Sequence, residues 1–246
     1  MNQMEKLISI CKHNLNSSKS CLDYLKNRGV GKDLINEYGI GYFPQNISTL
    51  SNYVDLNILR QKNIVRINND SDFKNYHYLV IPIYDEYGII HGISGRSLMS
   101  SNELKLLGIP KYKNSSYSKS KILFGFNKAL DSIIKKRSVW IVEGYFDQIS
   151  MFQHGGKNCV AMGGTAFSKS HLVKLKRYCN KINFLYDSDE AGFVSSQRVY
   201  KKFNKFDIDL NFYAVKDYKD IDEYLFNKKS LRFLKQDIKK LNFGEI

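Results

Sequence analysis

Val139-Trp140-Ile141-Val142-Glu143-Gly144 and Ile182-Asn183-Phe184-Leu185-Tyr186-Asp187-Ser188-Asp189-Glu190-Ala191-Gly192 bound the stretch whose reading decides the fold. Each is a short apolar run that stops abruptly on acids, as a strand buried on both faces does when it leaves a sheet. With further strand candidates at Cys159 to Met162 and Leu210 to Val215, the chain alternates strand and helix from Asp131 to about Val215. That alternation predicts a parallel sheet with crossover helices. In an open α/β sheet functional groups gather outside the carboxyl ends of the strands, which is where Glu143, Asp187 and Asp189 fall. Three converging carboxylates repel one another and raise each other's pKa, and a hard divalent cation, magnesium by default, resolves the conflict. The plainer reading of Asp189 is an N-cap for a helix beginning near Ala191.

These residues also resemble a known family. Glu143-Gly144-Tyr145-Phe146-Asp147 followed by Asp187-Ser188-Asp189-Glu190-Ala191-Gly192 resembles the paired signature of the TOPRIM domain, shared by primases, topoisomerases and some nucleases. The Gly-Tyr-Phe-Asp and Glu-Ala-Gly forms are similar to those of bacterial DnaG-type primases and their phage relatives. Tyr24-Leu25, Arg28-Gly29 and Gly39-Ile40-Gly41-Tyr42 resemble the opening of that family's polymerase core. Tyr78 to Tyr84, the acidic turn Asp85 to Gly88, and Ile89 to Arg96 read as a β-hairpin on composition alone. Gly95-Arg96 matches the family's Gly-Arg step, whereas Tyr76-His77-Tyr78 stands where those primases carry an Arg.

Asp220 to Glu223 reads from its residues as an acidic helix start, favourable at the positive end of the helix dipole. The resemblance implies more, because the family has Asp-Pro-Asp here and this chain keeps both acids around Ile221. It implies that Asp220 and Asp222 are further metal ligands.

The 246 residues, 43% of them hydrophobic, suffice for one large domain or two small ones with a proper core. Thirty-eight Lys and Arg against 24 Asp and Glu give a formal net charge of +14, which fits a polyanionic partner or an anionic membrane surface. No apolar run reaches the roughly 18 residues of a spanning helix, and the N-terminus lacks the apolar core of a secretion signal. A soluble, intracellular protein is therefore expected, and the resemblance implies the cytoplasm of a bacterial cell, with a cellular or a phage gene as its source. Cys11, Cys21, Cys159 and Cys179 form no Cys-x-x-Cys pair and no zinc-ligand spacing, so reduced structural thiols and no zinc are expected.

Between Glu103 and Asp131 there is no acid, while Lys105, Lys111, Lys113, Lys119, Lys121 and Lys128 all fall there. A solvated basic loop is the plain reading. A loop mixing lysines, an amide, Tyr112 and Tyr117 can also hold phosphates by charge and stack on bases. The resemblance implies that Arg96, Lys111, Asn114 and Lys119 contact the template strand or the incoming triphosphate. Gly163-Gly164-Thr165 matches no P-loop and reads as backbone packing, with a substrate contact as the further reading.

The expected fold is α/β: a basic α+β lobe over 1–130, a TOPRIM lobe over 137–226, and a short amphipathic helical tail over 227–246, with a cleft between the lobes. The resemblance implies synthesis of short RNA primers on single-stranded DNA from ribonucleoside triphosphates. Glu143, Asp187 and Asp189 would hold one Mg²⁺, replaceable by Mn²⁺, and Asp220 and Asp222 would help place a second. Glu143 could instead be the general base. The rival readings are a TOPRIM nuclease, which has no need of Gly95-Arg96 or of Pro110 to Asn114, and a non-catalytic single-strand-binding subunit. The family's zinc ribbon and helicase-docking module are not visible in the sequence, so a replicative helicase and a zinc-binding module acting in trans are the expected partners.

Overall fold

The computed structural model describes residues 1–243. The chain forms two compact units, Met1–Tyr84 with Ile89–Tyr117, and Asp85–Gly88 with Ser118 onward.

The first unit opens with α1 (Gln3–Leu15). It starts at a reciprocal cap in which Asn2 accepts from the Glu5 amide and Glu5 accepts from the Asn2 amide. Its Met4, Leu7, Ile8, Cys11 and Leu15 share one buried face, the period a helix needs. Helices α2 (Lys19–Asn27) and α3 (Lys32–Tyr38) follow, broken at Arg28-Gly29-Val30-Gly31 as the glycines foretell. Strand β1 (Gly41–Tyr42) leads into three short helices, α4 (Ile47–Leu50), α5 (Leu56–Gln61) and α6 (Asp72–Asn75). The expected hairpin is β2 (Leu79–Tyr84) and β3 (Ile90–Arg96), and after α7 (Ser101–Leu107) the chain returns as β4 (Tyr112–Asn114).

The four strands make an antiparallel sheet in chain order, and Leu7, Phe43, Phe73, Val80 and Ile93 lie in the core it covers. Strand β4 was not foreseen, because this part of the basic stretch reads as a loop. A Cβ at Gly95 would lie 2.2 Å from the His77 carbonyl oxygen, so only glycine lets the chain pass here and sets Arg96 at the end of β3.

The second unit runs from a 3₁₀ turn at Lys119–Lys121 through α8 (Phe126–Lys136), β5 (Ser138–Val142), α9 (Tyr145–Gln153) and β6 (Cys159–Ala161). It continues with α10 (Lys169–Lys176), β7 (Lys181–Tyr186), α11 (Glu190–Phe203), β8 (Asp209–Val215), α12 (Ile221–Lys228), α13 (Leu234–Asp237) and β9 (Ile238–Lys240). The sheet order is β6-β5-β7-β8-β9, parallel except for β9. All four strand candidates are present within a residue or two of their expected limits, and β5 and β7 lie side by side, so their acid-tipped ends are neighbours. The core is aromatic at its centre, with Phe184 stacked on Phe212 at 4.9 Å and met edge-on by Phe167 at 5.0 Å.

Residues 118–130 belong to the second unit, because α8 buries Phe126, Ala129 and Ile133 in that unit's core. The tail is not helical throughout: β9 pairs antiparallel with β8, and Leu241 and Phe243 pack on the core with the period of two that an extended chain gives. Positions 244–246 of the tail lie outside the described residues. No helix among the described residues is long and apolar enough to cross a membrane.

Candidate active site

Strand β5 delivers Glu143 and β7 delivers Asp187 at adjacent carboxyl ends of the parallel sheet, and the Glu143 carboxylate accepts from the Asp187 amide at 3.3 Å. The turn after β7 is pinned from the next strand. The Ser188 hydroxyl donates to the Val215 carbonyl and the Ser188 amide to the Lys219 carbonyl, each at 2.7 Å. Helix α11 then sits directly on this turn, since a Cβ at Gly192 would meet the Asp187 carbonyl oxygen at 2.1 Å. The Glu-Ala-Gly glycine is therefore a close-approach residue.

The remaining acids occupy helix starts. Asp189 caps α11 by accepting from the Gly192 amide at 2.9 Å, and Asp220 caps α12 by accepting from the Glu223 amide at 2.8 Å. Asp222 accepts a short hydrogen bond from the Ser150 hydroxyl on α9. Asp147, in the first turn of α9, accepts from the Gly144 amide at 2.8 Å.

The electrostatics show how closely the acids crowd. Burial, reinforced by Glu143 and Asp220, pushes the Asp187 carboxyl up to about 7, with Lys219 opposing. Burial and then the repulsion of Asp220, Asp187 and Asp222 push Asp147 up to about 8. Glu143 is raised by burial and by Asp189, again against Lys219.

The basic candidates are distributed differently. Arg96, only 7% exposed, lies with its guanidinium 4.8 Å from the Tyr24 ring centroid and 5.0 Å from that of Tyr112, whose hydroxyl accepts from it. Lys111 is exposed just before β4, and its carbonyl accepts from the Ser97 amide at 3.0 Å. Asn114 ends β4 opposite Ser94 and accepts from the Tyr117 hydroxyl at 3.3 Å. Neighbouring Lys113 is held by Asp72 at 3.1 Å. Arg96, Lys111 and Asn114 belong to the first unit, and Lys119 to the second. There the buried His171 binds the Lys119 carbonyl through Nε2 at 3.0 Å.

Known families cover the two parts of the chain in turn. Residues 10–130 match the DNA primase catalytic core N-terminal domain, and residues 140–225 match the Toprim-like family. The chain belongs to the DnaG-type primase catalytic-core family. Of similar proteins, a DNA primase of Borreliella burgdorferi is 31% identical over 219 residues, covering 84% of this chain and 40% of that protein. The Aquifex aeolicus primase structure with zinc-binding and RNA polymerase domains is 26% identical with a TM-score of 0.78, covering 97% of this chain and 60% of that one. A structure of a DnaG primase catalytic domain bound to single-stranded DNA shares the fold at 23% identity and a TM-score of 0.78, covering 97% of this chain and 78% of that one. The chain thus spans about two fifths of the curated relative's length.

A Toprim-like segment in a primase core points to divalent metal use, and the acids can be tested against that. Their chemistry fits: the raised carboxyls of Glu143, Asp187 and Asp147 are hard oxygen donors held close by the fold, with Lys219 opposing the rise at Glu143 and Asp187. Their arrangement is not a closed ligand shell, for among the described residues no three His, Cys, Asp or Glu side chains stand together as one. In this family member Asp189 and Asp220 each spend one carboxylate oxygen on a helix cap and keep the other. Two residues escaped the sequence reading. The motif alone gives Asp147 no role, though its place four residues after Glu143, at the start of a helix, is a signal. Lys219 joins the acids only through the folded loop after β8.

Proposed function

We propose that the chain is the catalytic part of a DNA primase, making short RNA primers on single-stranded DNA by metal-dependent nucleotidyl transfer during replication. The observation that carries this reading is the pairing of a primase-core match over 10–130 with crowded carboxylates at the ends of β5 and β7. Glu143, Asp187 and Asp189 would hold one Mg²⁺, for which Mn²⁺ can substitute, and Asp220 and Asp222 would help place a second. When bound, the ions neutralise the triphosphate and orient its α-phosphate towards a 3′-hydroxyl.

The protein's own part is orientation and charge. The caps on α11 and α12 fix Asp189 and Asp220, Ser150 fixes Asp222, and the 3.3 Å bond to the Asp187 amide aims Glu143. Glu143 acts either as a ligand or as the base that takes the hydroxyl proton, a role its raised pKa suits. Lys111, Asn114 and Lys119 would meet phosphates of template or nucleotide directly, and Arg96 would do so through a rigid, tyrosine-flanked guanidinium. Single-stranded DNA and ribonucleoside triphosphates are the substrates in this reading. A replicative helicase and a zinc-binding module are its partners, and the cytoplasm of a bacterial or phage-infected cell is its place.

The test is a gel. The protein is incubated with single-stranded DNA, labelled ribonucleotides and Mg²⁺ or Mn²⁺. Oligoribonucleotides support the reading, and shortened DNA without them would replace it with a nuclease.

A further inference from the structure

The outer face of helix α10, in the second unit, meets the 3₁₀ turn at Lys119–Lys121 in a groove of about 470 Å³. Lys121, Lys169, Ser170, Val173, Lys174 and Arg177 line it, and none of them has a role above. The turn is fastened to the helix: the Ser168 hydroxyl donates to the Ser120 carbonyl at 2.6 Å, and His171 binds the Lys119 carbonyl at 3.0 Å. Four of the six lining side chains are cations and none is an acid.

Fold stability does not account for these charges. Lys121, Lys169 and Arg177 are exposed, and among the described residues none of them makes an ion pair. Lys169 stands in the first turn of α10, where a cation opposes the helix dipole and no acid offsets it. Lys174 differs, being held by Glu86 at 2.6 Å with both side chains largely buried. Glu86 lies in the Asp85–Gly88 turn, which belongs to this unit. One cation of this face thus already seats a carboxylate of the chain itself, and the other three await one.

Lys169, Val173 and Arg177 follow at four-residue steps, and Arg177 keeps helical φ and ψ of −71° and −22°, so the three form one stripe along the helix. At a rise of about 1.5 Å per residue the two cations are rooted roughly 12 Å apart. Val173 lies between them, 46% exposed, as an apolar floor between positive ends. A compact inorganic anion drawn between the cations would lie against Val173 and lose hydration there without return. A nucleic-acid strand would supply phosphates, but no aromatic ring lines the groove for its bases to stack on. An extended peptide advances about 3.3 Å per residue, so acids four residues apart match the stripe and an apolar residue midway falls on Val173.

We propose that this groove docks an acidic peptide segment of a partner protein, its apolar side chain seated on Val173 and its flanking carboxylates paired with Lys169, Arg177 and Lys121. Arg177 can take a carboxylate with two parallel bonds, while the lysines act as point charges. Docking here is independent of primer synthesis.

The experiment is fluorescence anisotropy of the labelled peptide Asp-Asp-Ser-Leu-Ser-Asp-Asp titrated with the full chain in about 0.1 M salt, where long-range attraction is screened. One saturable site is expected. Lys169→Glu combined with Arg177→Glu should weaken it at least about tenfold, through loss and reversal of the charge pairs. Lys201→Glu combined with Lys205→Glu changes the net charge equally at exposed cations outside the groove, and should weaken it less than about twofold. On the unaltered protein, replacing the peptide's leucine by serine should weaken binding at least about threefold, since the contact with Val173 is lost. Excess oligo-dT or tripolyphosphate should leave the peptide bound. Absence of saturable binding, equal weakening by the two pairs of charge reversals, or indifference to the leucine would each overturn the proposal. Displacement by oligo-dT would overturn it in favour of a nucleic-acid track, and displacement by tripolyphosphate in favour of a small-anion site.

Discussion

At Gly192 a single added carbon would strike the Asp187 carbonyl at 2.1 Å, and a backbone atom cannot step aside as a flexible side chain can. Gly192→Ala should therefore destabilise the protein by about 2 kcal/mol, in the range for overpacked sites, and should lower synthesis further by shifting Asp187. Urea unfolding reads the first effect, and activity at a temperature where the variant is still folded reads the second. An unperturbed variant would mean that α11 does not bear on the turn. Residues of this kind show what sequence can and cannot tell. Glu143 and Asp187 were legible because an apolar run stopping on an acid already marks a strand's carboxyl end. The sandwich of Arg96 between Tyr24 and Tyr112 was not, because Tyr24 comes from a helix far away in the chain.

At the level of elements, the cap on α11 occupies one oxygen of Asp189 and leaves the other for the proposed metal. The two roles separate by substitution. Asp189→Asn keeps a good cap and removes the charge, so stability should hold while synthesis falls. Asp189→Ala should lose both synthesis and about 1 kcal/mol of stability. Equal stability of the two variants in urea would deny the cap.

Helix α10 offers a pH test. Its His171 is buried, with Nδ1 accepting from the Ser168 amide at 3.3 Å and Nε2 bound to the Lys119 carbonyl, and burial above all lowers its pKa. Below the ordinary value of 6.5 the unfolded chain takes a proton that the folded ring refuses. Stability present above that value should thus be lost as pH falls from 7.5 to 5.5, with a flatter response in His171→Gln. The same urea midpoint in wild type at both pH values would contradict this. Strands β4 and β9 were missed for a common reason. Each is three residues long and is defined by the strand it pairs with, Ser94 to Arg96 for one and Tyr213 to Val215 for the other, so no run of its own announces it.

Over the whole molecule, the +14 charge favours a polyanion, yet not every lysine is available to one. Lys113 is held by Asp72 at 3.1 Å. Lys111→Ala should flatten the salt dependence of single-stranded DNA binding by about one phosphate contact, and Lys113→Ala should change it less. Equal slopes for wild type and Lys111→Ala would return the stretch to a solvated surface. The carboxylates at the ends of β5 and β7 are proposed to perform templated nucleotide joining. The most direct measurement is the yield of labelled oligoribonucleotide on single-stranded DNA with Mg²⁺, for wild type and Asp187→Asn, alongside DNA affinity. Primers are expected from wild type and essentially none from Asp187→Asn at unchanged affinity and fold. Equal primer yields from both would contradict it.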